Sequence, residues 1–306
     1  MTSPDTPRPT GGHLVAEVLH RHGVRTIFAL AGGHISPILV ESKRRGIRVI
    51  DTRQEQTAAF AADATARLTG VGVAVVTAGP GVTNTLTALT NARMARSPML
   101  LIGGATATVL RGRGSLQDID QMAVVRPHVK HAERASRVAD IVSVLERALR
   151  VAREGVPGPV FVELPVDVLY SEPIVQETMG IARPLAADAT LRKTMEYWYL
   201  GRHARRVFAP GGATPNDPVR VLRVAPSARA VARVAGLLSR AERPVMAIGS
   251  QGAECAAEIG ALADAVRAIG VPVFLAGMAR GLLGAVTTQQ VRHHRKDALR
   301  EADVVL

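Results

Sequence analysis

A single cysteine, Cys255, leaves this chain without the means for an internal disulfide or a multi-cysteine metal site, and it fits a reducing compartment. Aromatic residues make up only 3% of the sequence, too few to interleave with bases along a nucleic-acid groove. Lysine is equally scarce. Only Lys43, Lys130, Lys193 and Lys296 are present, so the net charge of +12 is almost wholly arginine, spread along the chain rather than gathered into a patch. No helix-turn-helix, zinc-finger or RNA-binding signature accompanies it, and a solvated basic surface is the expectation, with no nucleic-acid partner. No stretch approaches the roughly eighteen consecutive apolar residues of a membrane span, and Met1 to Gly12 has no apolar leader core, so a cytoplasmic protein is expected.

What is there is ample apolar material, 47% over 306 residues, enough for two cores. From about Gly11 to Tyr170, amphipathic helical spacing alternates with short apolar runs, the pattern of βα units around a parallel sheet. Leu14, Val15, Val18 and Leu19 recur at helical spacing, and Gly23 stands where a glycine ends a helix. Strands are expected at Arg25–Leu30, Ile47–Ile50, Gly72–Thr77, Met99–Gly103 and Val160–Leu164, with helices over Gln56–Leu68, Thr83–Ala95 and Ala139–Ala152. Residues 171–227 lose this periodicity among prolines and glycines and read as a linker. Within it, Met195, Trp198, Tyr199 and Val207 lie among arginines; a helix packed across two domains is favoured over a basic helix lying on a membrane surface.

A second α/β pattern fills 228–306: a helix to Ser239, a strand at Val245–Gly249, a helix from about Glu254 to Ile269, a strand at Val271–Leu275, and a short helix at Ala298–Ala302 feeding Val304–Leu306. The fold class is therefore α/β, with two doubly wound parallel-sheet domains. A parallel strand with no following crossover is an odd terminus, so an incomplete chain or one subunit of a split protein is expected.

Ligands of open parallel sheets bind beyond the carboxyl ends of the strands. Three loops fall there: Ala31-Gly32-Gly33-His34, Asp51 to Glu55, and Ala78-Gly79-Pro80-Gly81 followed by Thr83 and Asn84. Neither glycine-rich loop has nucleotide-binding spacing. Glu55 opens a helix, where a carboxylate also simply complements the helix dipole. His34 is either an acid–base group or a surface imidazole. Gln117 and Gln121 flank Asp118 and Asp120, and with no neighbouring histidine or cysteine and no calcium-loop spacing these aspartates are not expected to hold a metal.

Taken in order, Gly32-Gly33-His34, the run Arg53 to Ala64, Thr77 to Asn84, Leu116 to Gln121 and Gly158 to Asp167 resemble the thiamine-diphosphate enzymes of the acetolactate-synthase, benzaldehyde-lyase and 2-hydroxyacyl-CoA-lyase group. The resemblance is close over 11–170, the family's pyrimidine-binding domain, and looser over 228–306, its middle domain. It implies that Glu55 hydrogen-bonds the aminopyrimidine N1′ and favours the imino tautomer, in dry surroundings that Ala58, Ala59 and Phe60 would supply. It implies further that Gln117 lies beside the reacting carbons, that His34 shuttles a substrate proton, and that Gly32, Gly33, Gly79, Pro80 and Asn84 contact the cofactor. Mg²⁺ and the diphosphate are then expected on a domain this chain lacks or on a partner, in a homodimer or a split enzyme. FAD or an adenine nucleotide occupies the middle domain in some members. The expected substrate is a 2-keto acid, an aldehyde or a 2-hydroxyacyl-CoA, with 2-hydroxyacyl-CoA lyase the nearest likeness. Acetolactate synthase and a non-catalytic, dimerising or nucleotide-binding remnant are the alternatives. Ala31, where acetolactate synthases usually carry proline, speaks against the former.

Overall fold

The computed structural model describes residues 9–186, 188–218, 225–253, 258–285 and 287–306. Cys255 and the expected start of a helix at Glu254 lie outside the described residues. These fall into two compact units, one ending at 218 and the other beginning at 225, and each is considered by itself.

The first unit runs α1 (Gly11–Arg21), β1 (Thr26–Ala29), α2 (Ser36–Arg44), β2 (Arg48–Asp51), α3 (Glu55–Thr69), β3 (Gly72–Val76), α4 (Pro80–Thr83), α5 (Leu86–Ala95), β4 (Met99–Ala105), α6 (Gln121–Val125), β5 (His131–Arg134), α7 (Ile141–Arg153), β6 (Val160–Pro165), α8 (Val166–Leu169), α9 (Glu172–Thr178) and α10 (Leu191–Val207). Its six strands are all parallel, in the order β2-β1-β3-β4-β6-β5. The central strands Gly-Val-Ala-Val-Val, Met-Leu-Leu-Ile-Gly-Gly-Ala and Val-Phe-Val-Glu-Leu-Pro are buried at every position, as continuous apolar runs must be when helices cover both faces.

The two faces are cored differently. Val73, Val75, Leu100, Ile102, Val160 and Val162 meet the leucines, isoleucines and valines of α1 and α7, among them Leu19 and Leu145. The alternate residues Ala74, Val76, Leu101 and Phe161 meet Ala58, Ala59, Ala62 and Ala66 of α3 and Leu89 of α5. Alanines let α3 ride low on the sheet, so low that a Cβ on Gly72 would lie 1.9 Å from the Ala62 carbonyl oxygen. The Thr10 hydroxyl caps α1 by accepting from the His13 N–H, and Gly23, at φ +77°, releases the chain into β1 as expected.

Two details depart from the sequence reading. The helix expected from Thr83 is split into α4 and α5 at Asn84 and Thr85, where the Thr85 hydroxyl donates to the Val82 carbonyl at 2.7 Å. Strand β5 was not foreseen: His-Ala-Glu-Arg at a sheet edge is only half-buried and shows no apolar run. The 171–218 stretch carries α9 and α10 and groups with the first unit. In α10 Ala204 and Val207 are buried, whereas Met195 and Trp198 are 65% and 64% exposed. Among the described residues no helix is long and apolar enough to cross a membrane.

The second unit contains α11 (Ala228–Leu238), β7 (Pro244–Ile248), α12 (Ile259–Ile269), β8 (Val273–Leu275), α13 (Arg295–Glu301) and β9 (Val304–Val305), with a parallel sheet ordered β8-β7-β9. Met246, Ala263, Val266, Val273 and Leu283 form its core. Asp303 ties the edge of this sheet by accepting from the Glu242 and Arg243 amides.

Removing a fully buried side chain from the thick face of the larger sheet should be costly: Leu145→Ala is expected to destabilise the first unit by about 2–5 kcal/mol. Urea unfolding followed by circular dichroism checks this against Leu116→Ala, at a residue 78% exposed, where a change within about 0.5 kcal/mol is expected.

Candidate functional site

Parallel pairing of β2, β1 and β3 brings the loops after these three strands to one edge of the sheet. Glu55 is the first residue of α3, with Gln54 as a cap whose side chain makes no capping bond. The carboxylate therefore complements the positive end of the helix and also faces the neighbouring loop. It is only 7% exposed. Its Oε2 accepts from the Asn84 side-chain amide at 2.9 Å, and among the described residues Oε1 has no hydrogen-bond partner. Beside Oε1 stands Gly81, where a Cβ would lie 3.4 Å from that oxygen, so glycine keeps space open against it. Ala58 and Ala59 are fully buried beneath, but Phe60, expected to help keep the carboxyl dry, points outward at 38% exposure. Position 60 lies on the solvent side of a helix whose inward positions are alanines.

The glycine loop after β3 is shaped by Gly79, at φ +58° and ψ −111°, a conformation a side chain would strain. Its N–H donates to Gln121 Oε1 at 2.7 Å, and its carbonyl accepts from Val82 and Thr83. Pro80 begins α4 and is exposed; Asn84 ends it. Thr77, unremarked in the sequence, lies at the centre of the neighbouring loops: its side chain packs against Gly32 and Gly81, and its hydroxyl lies 3.2 Å from His34 Nδ1. Gly33 is exposed, and its carbonyl accepts from the Tyr170 hydroxyl at 3.0 Å. Half-burial pushes the His34 pKa below that of a free imidazole, favouring the neutral ring.

Gln117 adjoins this group at Gly79. Its backbone, at φ +61°, packs against Gly79, and its side chain lines a cavity of about 580 Å³ beyond β4, β5 and β6. Arg111, Arg134, His203 and Gln121 share that lining; Glu55 and His34 do not. The structure thus brings Glu55, Gly79, Gly81 and Asn84 together, sets His34 and Gly32 around Thr77, and places Gln117 on the adjoining cavity. Asp118 accepts from the Gly112 amide and Asp120 caps α6, and among the described residues no group of three His, Cys, Asp or Glu could hold a metal. Gln121 is 2% exposed and bonded on both ends of its amide. The sequence offered for it only a glutamine spaced four residues from Gln117.

Residues 9–124 match the family described as thiamine pyrophosphate enzyme, N-terminal TPP binding domain. The chain is 50% identical over 303 residues to a 2-hydroxyacyl-CoA lyase 2 of Homo sapiens, covering 97% of this chain and 47% of that protein. It is 48% identical to the protein of that name in Danio rerio, covering all of this chain and 49% of that one. An acetolactate synthase large subunit of Mycobacterium tuberculosis is 35% identical over 309 residues, covering 50% of its length. The chain spans about half the length of the curated relatives it matches.

The lowered His34 pKa has a measurable consequence. Its imidazole, like that of the partly buried His22, should titrate below a free imidazole in an NMR titration. Because the folded state resists protonation, stability is full above the unfolded histidine pKa and falls as the pH drops toward the folded value. That loss should shrink in His34→Gln.

Proposed function

We propose that this chain, whose residues 9–124 match the N-terminal TPP binding domain of thiamine pyrophosphate enzymes, provides the cofactor-activating half-site of a C–C bond lyase acting on 2-hydroxyacyl-CoA. The observation that carries the reading is the Glu55 carboxyl group, buried at the head of α3 with one oxygen bonded to Asn84 and the other left open against a glycine. An acid so arranged has one oxygen for a single ring nitrogen, which suits the aminopyrimidine. Bound thiamine diphosphate supplies a nucleophilic carbon and an electron sink for breaking or joining a C–C bond.

The chain's own residues divide the remaining work. Glu55 shares a proton with the aminopyrimidine nitrogen, and Asn84 keeps the carboxyl from rotating away. Gly79 and Gly81 admit the ring against the backbone, with Gly32, Gly33 and Pro80 on the rim. His34, held neutral by burial and oriented by Thr77, takes or returns the proton of a substrate hydroxyl. Gln117, on the cavity lining, orients the reacting carbonyl.

Mg²⁺ and the diphosphate belong in this reading to residues outside the chain, on a further domain or on a partner subunit in a dimer. Residues 228–306, within the second unit, correspond in this reading to the middle domain, and FAD or an adenine nucleotide is the candidate ligand there. The cytoplasm is the proposed location. Identities of 48–50% to the acyl-CoA lyases against 35% to an acetolactate synthase, together with Ala31, favour the lyase over condensation of two 2-keto acids.

In an assembly that binds thiamine diphosphate, Glu55→Gln is expected to preserve the fold while slowing exchange of the cofactor C2 proton, followed by NMR in D₂O, by a factor of about a hundred or more. Unchanged exchange would remove the assigned role. Turnover of pyruvate with a second 2-keto acid, without cleavage of a 2-hydroxyacyl-CoA, would shift the assignment to acetolactate synthesis.

A further inference from the structure

The buried side chain of Gln121 is fully engaged without touching Glu55. Its Oε1 accepts from the Gly79 N–H at 2.7 Å, and its Nε2 donates to the Gly104 carbonyl and to Glu163 Oε2, both at 3.1 Å. Glu163, also 2% exposed, is ion-paired through its other oxygen to Arg134 on the cavity wall. The amide is thus clamped between the backbone of β4 and a carboxylate of β6, with no freedom to flip. From Gly79 a series of bonds continues: the Gly79 carbonyl accepts from Val82 and Thr83, the Asn84 N–H donates to Pro80, and the Asn84 side chain reaches Glu55. Gly79 cannot take an ordinary helical start at φ +58°, so its N–H needs an acceptor outside the loop. Gln121 is that acceptor.

We propose that Gln121 is a positioning residue that sets the Gly79–Asn84 loop and, through Asn84, the orientation of the Glu55 carboxyl. Its catalytic meaning rests on the proposed function, but the mechanical claim does not, and the two are tested separately.

The test uses hydrogen exchange by NMR on the full chain without cofactor. In Gln121→Met, which keeps the shape and removes all three bonds, the Gly79 amide should exchange at least tenfold faster and the Asn84 side-chain amide should lose its hydrogen-bonded shift. Amides in the later turns of α3 should be unaffected. In Glu163→Gln, which leaves the Gly79 bond intact, the Asn84 side-chain signal should stay as in wild type. Faster Gly79 exchange with an unmoved Asn84 signal overturns the proposal and leaves Gln121 a structural residue only. If Gln121→Met does not fold, the wild-type protein decides: the Gly79 amide and the Asn84 side-chain amide should open with one denaturant dependence, and separate openings overturn the proposal. Where thiamine diphosphate turnover is available, Gln121→Met should lower kcat and C2 exchange together, with KM little changed. A lost exchange signal in Glu55→Gln but not in Gln121→Met would reject the inference while leaving the proposed function standing.

Discussion

Close packing of α3 on β3 sets the position of everything at the candidate site. The helix approaches until the Ala62 carbonyl occupies the space a side chain at Gly72 would need, and the run Ala58, Ala59, Ala62, Ala66 permits that approach along its inner face. A helix held so near its strand has little freedom to slide or rotate. Its first residue, Glu55, is accordingly fixed relative to the loop that follows β3. A second tie reinforces this: Asp63, two turns along α3, is buried and accepts from Arg67 and from Asn91 of α5. Asn84 and Asn91 thus reach across to α3 at two heights.

Charge is handled by the same economy of neighbours. In a chain with an excess of arginine, the buried carboxylates of the first unit each have a defined partner: Asp63 with Arg67, Glu163 with Arg134 and Gln121, Asp167 with Thr108 and, at 3.6 Å, His203. Removing one partner of such a group leaves a charge without compensation in a dry interior, which is far more damaging than loss of a surface pair. Glu55 differs in its partner: through one oxygen it accepts from a neutral amide, that of Asn84, whereas Asp63 and Glu163 face arginines.

Much of this was legible in the sequence. Continuous apolar runs gave β3, β4 and β6 because a two-sided sheet demands them, and the glycine loops and Glu55 named from the sequence do lie at one edge of that sheet, where the candidate site is placed. The contributions that escaped notice share a physical cause. Strand β5 is an edge strand whose His-Ala-Glu-Arg carries no burial pattern, Thr77 acts through contacts with residues 32, 34 and 81, and Gln121 acts through bonds to residues 79, 104 and 163. Such long-range roles leave no periodic trace. Phe60 was misjudged for the opposite reason: its type suggested burial, whereas its place on the helix dictated exposure.

The exposed aromatic face of α10 has a practical side. Trp198 is the chain's only tryptophan, and it stands 64% exposed on a helix that buries little else than Ala204 and Val207. Its indole is already hydrated in the native state, so intrinsic fluorescence is nearly silent to loss of the cores beneath. The same property makes it an optical probe of α10: a blue shift of its emission signals that a surface has come down on that helix.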